Sequence, residues 1–199
     1  IKALHFIIFA QNYFMKKICL WSGPRNISTA LMYSFAQRDD TKIVDEPLYG
    51  HYLRKTGARH PGRKEIMNKV NCDGNSVMGN LLNLNPKNGE KVLFIKQMTK
   101  HLVNVDCHFL PKLKNILLVR NPRDMLPSLA EKIPQPNLAD TGLKLQWHLY
   151  KNLQNMGNNP IVIAADELLM NPKDILKQLC HHLKLKFFYS MLSWPAKPR

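Results

Sequence analysis

Acidic residues are scarce in this 199-residue chain, which has 14 of them against 29 lysines and arginines and a formal net charge of +15. A balance this basic suits a polyanionic partner, such as a nucleotide with several phosphates, an acidic substrate or a nucleic acid. The basic residues are dispersed, however, and no zinc finger, RNP-like signature or basic helical arm is present. A polyanion- or nucleic-acid-binding protein stays an alternative, and a solvated basic surface is the plainer interpretation.

Cysteine is also rare, and no C-x-x-C pair occurs. This absence argues against a disulfide framework and against a zinc ribbon. Histidines follow two of the cysteines directly, but neither cluster is completed at the spacing of a tetrahedral site, so we expect no bound metal. We predict buried free thiols in a reducing compartment, which indicates a cytoplasmic protein. The cysteines are Cys19, Cys72, Cys107 and Cys180.

No hydrophobic run is long enough to cross a membrane. Residues 1–14 are apolar but short, are interrupted by polar residues, and lack a small-residue cleavage pattern. We expect them to be an N-terminal extension outside the fold, the alternative being the stub of a signal anchor. With 45% hydrophobic residues in the chain and no internal repeat, we expect residues 15–199 to form a single domain.

The most informative segment is KICLWSGPRNIST, at residues 17–29. Its apolar start predicts a buried strand, the Ser-Gly-Pro that follows predicts a turn, and a helical pattern begins at Ile27. A strand, a tight loop and a helix N-terminus make an anion site, because free backbone N–H groups and the positive end of the helix dipole meet there. The residues predicted to bind the anion are Ser22, Gly23, Pro24, Arg25, Asn26, Ile27, Ser28 and Thr29.

This loop is not a Walker A loop, which has a second Gly followed by Lys before its Ser or Thr. Asn26 and Ile27 precede the hydroxyl residues here, so NTP hydrolysis is disfavoured. Arg25 supplies a fixed charge whose forked donors suit phosphate or sulfate.

A second motif, NILLVRNPRDMLPS, occupies residues 115–128. Its apolar part predicts another buried strand, and Arg120 stands at the carboxyl end of that strand, where ligands bind in open α/β sheets. A helix is predicted from Pro122. Ser128 lies eight residues after Arg120, and this spacing can bring it to the helix face that meets the arginine.

Together, SGPRNIST and RNPRDMLPS resemble motifs of the sulfotransferases that use 3′-phosphoadenosine 5′-phosphosulfate (PAPS). With DEPLYGHYL at residues 45–53, the likeness is greatest to the sulfotransferase-like domains of bacteria and plants, which in plants are fused to an aminotransferase-like domain. The resemblance implies that the first motif binds the 5′-phosphosulfate and that Arg120 and Ser128 bind the 3′-phosphate.

The alternation of strands and helices predicts a three-layer α/β sandwich with a mainly parallel central sheet of four to five strands. The resemblance adds that this sandwich is like that of the P-loop nucleotide kinases. We also predict one helix over Leu138–Met156, with Trp147 and Tyr150 in the core.

The resemblance implies transfer of a sulfuryl group from PAPS to a hydroxyl or amine of a small-molecule or carbohydrate acceptor. No metal is needed, because cationic side chains replace Mg²⁺. Lys96 is predicted at the end of a strand, where it would neutralise charge on the transferring group together with Arg25. A cytosolic sulfotransferase has a catalytic His two residues after this Lys, but Met98 stands there.

We therefore predict that Glu46, at the carboxyl end of the strand over residues 42–45, is the catalytic base. Asp45, His51 and His101 are alternates. It is equally open that Asp45 or Glu46 caps the helix expected near Leu48. Family members continue past a segment like Trp194-Pro195 with residues that close on the nucleotide, so we expect this chain to be truncated there. A catalytically weak or inactive nucleotide-binding module is the main alternative function.

Overall fold

The structure is a computed structural model, and it describes residues 15–87 and 89–195 of the chain. The extension predicted over residues 1–14 lies outside this part of the chain. The strands are β1 (Lys16–Ser22), β2 (Thr41–Asp45), β3 (Val92–Met98), β4 (Lys114–Val119) and β5 (Ile161–Ala164). The helices are α1 (Ser28–Ala36), α2 (Tyr49–Thr56), α3 (Arg63–Lys69), α4 (Gly74–Leu82), α5 (Pro122–Ala130), α6 (Leu138–Thr141), α7 (Leu143–Asn155), α8 (Ala165–Met170) and α9 (Pro172–His182), with short 3₁₀ helices at Thr99–His101, Cys107–Lys112 and Tyr189–Leu192.

Within the described residues the strands form one five-stranded sheet in the order β2-β3-β1-β4-β5. Every pairing in it is parallel. The central strand β1 is buried on both faces: Ile18 and Leu20 enter one hydrophobic core, while Cys19 and Trp21 enter the other. Burial on both faces explains why its sequence is a continuous apolar run rather than an alternating one.

Helices cover both faces of the sheet. α1, α8 and α9 contribute Leu31, Leu168 and Leu179 to one core, where Phe35 stacks on Phe94 with ring centroids 4.2 Å apart. α4, α7 and the second 3₁₀ helix build the core on the opposite face. The predicted three-layer α/β sandwich with a parallel sheet is therefore confirmed.

The register of the strands brings their carboxyl ends to one edge of the sheet. Ser22 of β1 pairs with Met98 of β3 and Leu118 of β4, and Asp45 of β2 pairs with Lys96 of β3. The connections that follow β1, β2 and β4 consequently leave the sheet side by side. All the segments singled out in the sequence meet at this edge.

Two predictions about residues 138–156 were wrong. Gly142, with φ of 71°, breaks the helix predicted over Leu138–Met156 into α6 and α7. The restarted helix buries Gln146 and Leu149 instead of Trp147, which is 59% exposed and stacks on Tyr150 at 5.9 Å.

Lys96, expected at the end of β3, lies inside the strand, because hydrogen bonding to β1 continues to Met98. Its side chain is therefore buried at the sheet edge, with 7% exposed.

The cysteines are free thiols, of which Cys19 and Cys180 are buried as predicted and Cys72 and Cys107 are only partly so. Between residues 15 and 195, leaving out the undescribed position 88, no cluster of His, Cys, Asp and Glu could hold a metal ion. In the same part of the chain no helix has the length and apolar character needed to span a bilayer.

Candidate functional site

The loop between β1 and α1 leaves the first turn of α1 open to ligands. Ile27 is the N-cap residue, and among the described residues no side chain caps this helix. The first backbone N–H groups of a helix have no intrahelical partner, and the helix dipole places positive charge there. Ser28 is buried at the helix start, whereas Arg25 and Thr29 are exposed beside it.

A cleft of about 400 Å³ opens over this loop and is called the β1–α1 cleft below. It brings together every residue predicted for the site except Ser22, which lies beneath the loop with its hydroxyl 3.4 Å from the Gln97 carbonyl oxygen. The residues that line the cleft are Gly23, Pro24, Arg25, Asn26, Ile27, Ser28, Thr29, Glu46, Lys96, Met98, Arg120 and Ser128.

The two sequence motifs contact each other directly in this cleft. Arg120 Nη1 donates a 2.7 Å hydrogen bond to the backbone carbonyl of Arg25, and Arg25 Nε donates one of 2.7 Å to Ser128 Oγ. Asp166, which the sequence did not indicate, has its Oδ1 3.9 Å from Arg120 Nε. Two guanidinium groups and a hydroxyl are thus held together at one end of the cleft, an arrangement suited to a phosphate.

Lys96, which also lines the cleft, is paired with two carboxylates, of which only that of Glu46 belongs to the cleft lining. Lys96 Nζ lies 2.6 Å from Glu46 Oε1 and 3.0 Å from Asp45 Oδ1. Burial opposes the charged form of Lys96, but the hydrogen bonds and negative charges of Glu46 and Asp45 outweigh it, so the pKa of Lys96 lies above its usual value. The ammonium group is therefore a fixed positive charge.

Arg25 and Glu46 have unusual backbones. Their φ angles are 53° and 44°, in the left-handed region that non-glycine residues rarely adopt. Such conformations cost on the order of 1–3 kcal/mol and persist where the surrounding structure enforces them, which is often at functional sites. Glu46 is held by its own N–H, which donates to the Lys96 carbonyl at 2.8 Å.

The alternate bases do not line the cleft. His51 is buried, with Nε2 2.7 Å from the carbonyl of Val103 and Nδ1 3.2 Å from that of Cys72. His101 is also buried; this burial, followed by the positive charges of Lys100, Lys96 and His60, lowers its pKa to about 3.

The proposed cap at the start of α2 is not formed. The N-cap residue is Leu48, and no side chain from the described residues caps the helix. The carboxylates of Asp45 and Glu46 are directed to Lys96 instead.

Sequence reasoning missed Gln146, which is buried beneath the loop. The side-chain amides of Asn26 and Gln146 both donate to the carbonyl of Leu118, two residues before Arg120. Gln146 is 2% exposed and shares the buried side of α7 with Leu149. A polar residue at helical spacing from buried leucines was the available signal.

The α6–α7 corner also packs against the loop. A Cβ on Gly23 would lie 2.8 Å from the backbone oxygen of Thr141, so only glycine fits at this position. The close approach at Gly23 is therefore made by the protein's own backbone.

A family model described as a sulfotransferase domain matches residues 15–199. The chain belongs to this sulfotransferase domain family. It is 40% identical over 185 residues to branched-chain-amino-acid aminotransferase-like protein 2 of Arabidopsis thaliana, an alignment that covers 92% of the chain and 33% of the relative. The chain thus spans about a third of the length of this relative.

Solved sulfotransferases share the fold. A sulfotransferase from Alicyclobacillus acidocaldarius superposes with a TM-score of 0.57 at 14% identity, covering 93% of this chain and 88% of the other. The sulfotransferase domain of the Synechococcus PCC 7002 olefin synthase gives 0.52 at 17% identity, covering 89% and 76%. The family predicted from the two motifs is confirmed, and the domain has the α/β fold of solved sulfotransferases.

Proposed function

We propose that this sulfotransferase domain transfers a sulfuryl group from PAPS to a hydroxyl or amine of a small acceptor. The observation that carries the proposal is the contact between the two motifs, in which Arg120 binds the backbone of Arg25 and Arg25 binds Ser128. This contact brings Arg120 and Ser128, which the proposal assigns to the 3′-phosphate, into the same cleft as the α1 N-terminus and Lys96.

Each lining group has a role that follows from its chemistry. The N–H groups of the α1 N-terminus, with Ser28 and Thr29, would orient the 5′-phosphosulfate. Lys96 and Arg25 would stabilise the negative charge that develops between the sulfuryl group and the leaving phosphate. Gly23 and Pro24 shape the loop, while Asn26 and Ile27 support it from below. Arg120 and Ser128 would hold the 3′-phosphate and select against ATP.

The reaction balances without a metal ion. The bond between sulfur and the bridging oxygen of the 5′-phosphate breaks, and a bond from sulfur to the acceptor oxygen or nitrogen forms. The acceptor proton passes to Glu46, and 3′-phosphoadenosine 5′-phosphate (PAP) leaves with the bridging oxygen. Glu46 Oε1 accepts a hydrogen bond from Lys96 Nζ. The second carboxylate oxygen of Glu46 would then take the proton from the acceptor.

The test is binding of PAP to the Arg120→Ala variant, measured by isothermal titration calorimetry. Losing a desolvated charged contact costs about 2–5 kcal/mol, so affinity should fall at least tenfold. Arg123→Ala is the matched control, since Arg123 is exposed at the start of α5, close to Arg120 in sequence, and does not line the cleft. Equal PAP affinities for the Arg120→Ala variant and the unsubstituted domain would refute the assignment of the 3′-phosphate site.

We further propose a cytoplasmic setting and no nucleic-acid partner. The setting is supported by four cysteines that lie as free thiols. The absence of a nucleic-acid partner is supported by the position of Arg25 and Arg120, which line the β1–α1 cleft rather than a continuous basic strip.

A further inference from the structure

A second cavity adjoins the β1–α1 cleft and shares one residue with it. This α2–α3 pocket, of about 590 Å³, lies between the end of β2, helices α2 and α3, and α4. Glu46 lines both spaces, so its carboxylate is at the boundary between them. The residues that line the pocket are Asp45, Glu46, Pro47, Tyr49, Gly50, Ile66, Val70, Asn71 and Val77.

The wall opposite Glu46 is apolar. α3 and the segment after it contribute Ile66 and Val70, and Val77 comes from α4. Val70 is 44% exposed, although a valine at a helix end has no structural need to face solvent. An apolar wall of this kind binds a hydrocarbon or aromatic body.

The neutral polar groups of the pocket are already bonded within the protein. The Asn71 amide donates to Ser76 Oγ at 3.0 Å, and its oxygen accepts from the Asp73 N–H at 2.8 Å. The Tyr49 hydroxyl shares a 2.8 Å hydrogen bond with His60 Nδ1. These contacts fix Asn71 and Tyr49 and leave each with only part of its hydrogen-bonding capacity, which is less than the many hydroxyls of a sugar require.

The charged hydrogen-bonding groups of the pocket are two carboxylates, and they are of one kind, since both only accept. Asp45 and Glu46 each use one oxygen on Lys96, and their second oxygens have no hydrogen-bond partner among the described residues. Ionised carboxylates only accept hydrogen bonds, so the group that meets them has to be a donor. The described lining of this pocket includes neither Lys nor Arg, in contrast to the β1–α1 cleft with Arg25, Lys96 and Arg120.

We infer that the α2–α3 pocket binds the acceptor, and that this acceptor is an apolar alcohol or amine that is neutral or positively charged. The inference rests on the proposed sulfuryl transfer. The hydroxyl or amino group donates to Glu46 at the boundary, and the apolar body packs on Ile66 and Val70. Anionic acceptors are repelled by Asp45 and Glu46, and carbohydrates find too few free polar partners.

The first experiment compares four acceptors with the PAPS-loaded domain: 2-phenylethanol, phenylalaninol, phenyllactate and glucose. 2-Phenylethanol carries no charge, and phenylalaninol carries an ammonium group. Phenyllactate has a similar carbon skeleton with an added carboxylate. We expect kcat/KM at least tenfold higher for 2-phenylethanol and phenylalaninol than for phenyllactate and glucose. Binding of each acceptor to the PAP-loaded domain, followed by saturation-transfer NMR, should show the same order.

The second experiment uses two exposed valines as a matched pair. Val70→Ser should raise KM for 2-phenylethanol several-fold, whereas Val162→Ser on the edge strand β5, 50% exposed, should leave it unchanged. PAP affinity is measured on the same samples by calorimetry. PAP binding with preferred use of phenyllactate or glucose, or equal KM values for the two variants, would overturn the acceptor assignment alone. Absence of PAP binding would overturn the proposed function and this inference with it.

Discussion

Lys96 is the residue on which the charge of the site depends. Its ammonium is almost fully buried and bridges Glu46 at 2.6 Å and Asp45 at 3.0 Å, while the two carboxylates remain partly exposed, at 26% and 50%. Breaking a fully buried pair by removing one partner costs about 3–5 kcal/mol, and partial exposure of the partners reduces that figure. Lys96 thus stabilises the folded chain as well as serving the proposed reaction.

We predict that Lys96→Met lowers the free energy of unfolding at neutral pH by about 1–2 kcal/mol, because two neighbouring carboxylates lose their shared cation. Urea unfolding measures the change. Sulfuryl transfer should fall at least a hundredfold, since loss of one charge-stabilising group at a reaction centre costs about 2.7–4 kcal/mol in the barrier. Lys177→Met, at an exposed position of α9, is the control and should leave both quantities unchanged.

The difference in the free energy of unfolding between the domain and the Lys96→Met variant should become smaller at high pH. The pKa of Lys96 in the folded chain is raised above that of an unfolded lysine, about 10.4. Its contribution is therefore fully present below that value and is lost as the pH rises through the folded pKa. Unfolding curves of the domain and the Lys96→Met variant should converge above pH ~10.4; a gap that widens with pH would contradict the pairing.

At the scale of secondary structure, the β1–α1 loop rests on the corner between α6 and α7. Gly23 packs against Thr141, and Gln146 and Asn26 donate to the same Leu118 carbonyl. Three segments that are distant in sequence thereby fix the position of the β1–α1 loop. A disturbance of this corner should therefore reach the proposed nucleotide site.

We predict that Gly23→Ala destabilises the domain by about 1–3 kcal/mol, because the new Cβ would meet a backbone oxygen at 2.8 Å and force the corner to shift. PAP affinity should fall with it, as the loop moves. Gly79→Ala in α4 is the control, since nothing lies within 4 Å of its Cβ. That variant should gain roughly 0.5–1 kcal/mol, as alanine is the better helix former. Thermal unfolding and calorimetry measure both effects.

Some parts of this site could be predicted from the sequence, and others could not. The strand of β1 and the motif around Arg120 were recognisable because apolar runs and turn residues are local signals. The Lys96 ion pairs were not, since the pairing of Asp45 with Lys96 depends on a sheet register that no local pattern specifies. The break at Gly142 was hidden inside a continuous helical pattern, so Trp147 was assigned to the core and Gln146 was overlooked.

At the scale of the whole molecule, the charge of +15 attracts anions of every kind. Surface attraction of this sort is screened by salt over about 10 Å at 0.1 M ionic strength. The contacts inside the β1–α1 cleft are shorter than this screening distance, with 2.7 Å between Arg120 Nη1 and the Arg25 carbonyl oxygen. Salt therefore separates general polyanion binding from recognition of the nucleotide.

We predict that PAP at a hundred times its Kd stabilises the domain by about 2.7 kcal/mol. For a chain of this size this corresponds to a rise in Tm of roughly 5–11 °C, and ATP at the same concentration should give far less. A thermal-shift series with PAP, ATP, adenosine 5′-phosphosulfate and heparin at two salt concentrations measures it. Stabilisation by PAP that disappears at high salt together with that by heparin would favour the polyanion-binding alternative.

The central place of β1 in the sheet has a consequence for synthesis on the ribosome. Lys16 pairs with Val92 and Ile18 pairs with Lys114, so β1 is made before both of its neighbours and waits for them. Long-range parallel pairing of this kind folds slowly and leaves unpaired edges exposed meanwhile. Until Val119 has left the exit tunnel, the nascent chain exposes β1 as an unpaired hydrophobic strand. Chaperones are most needed during that interval.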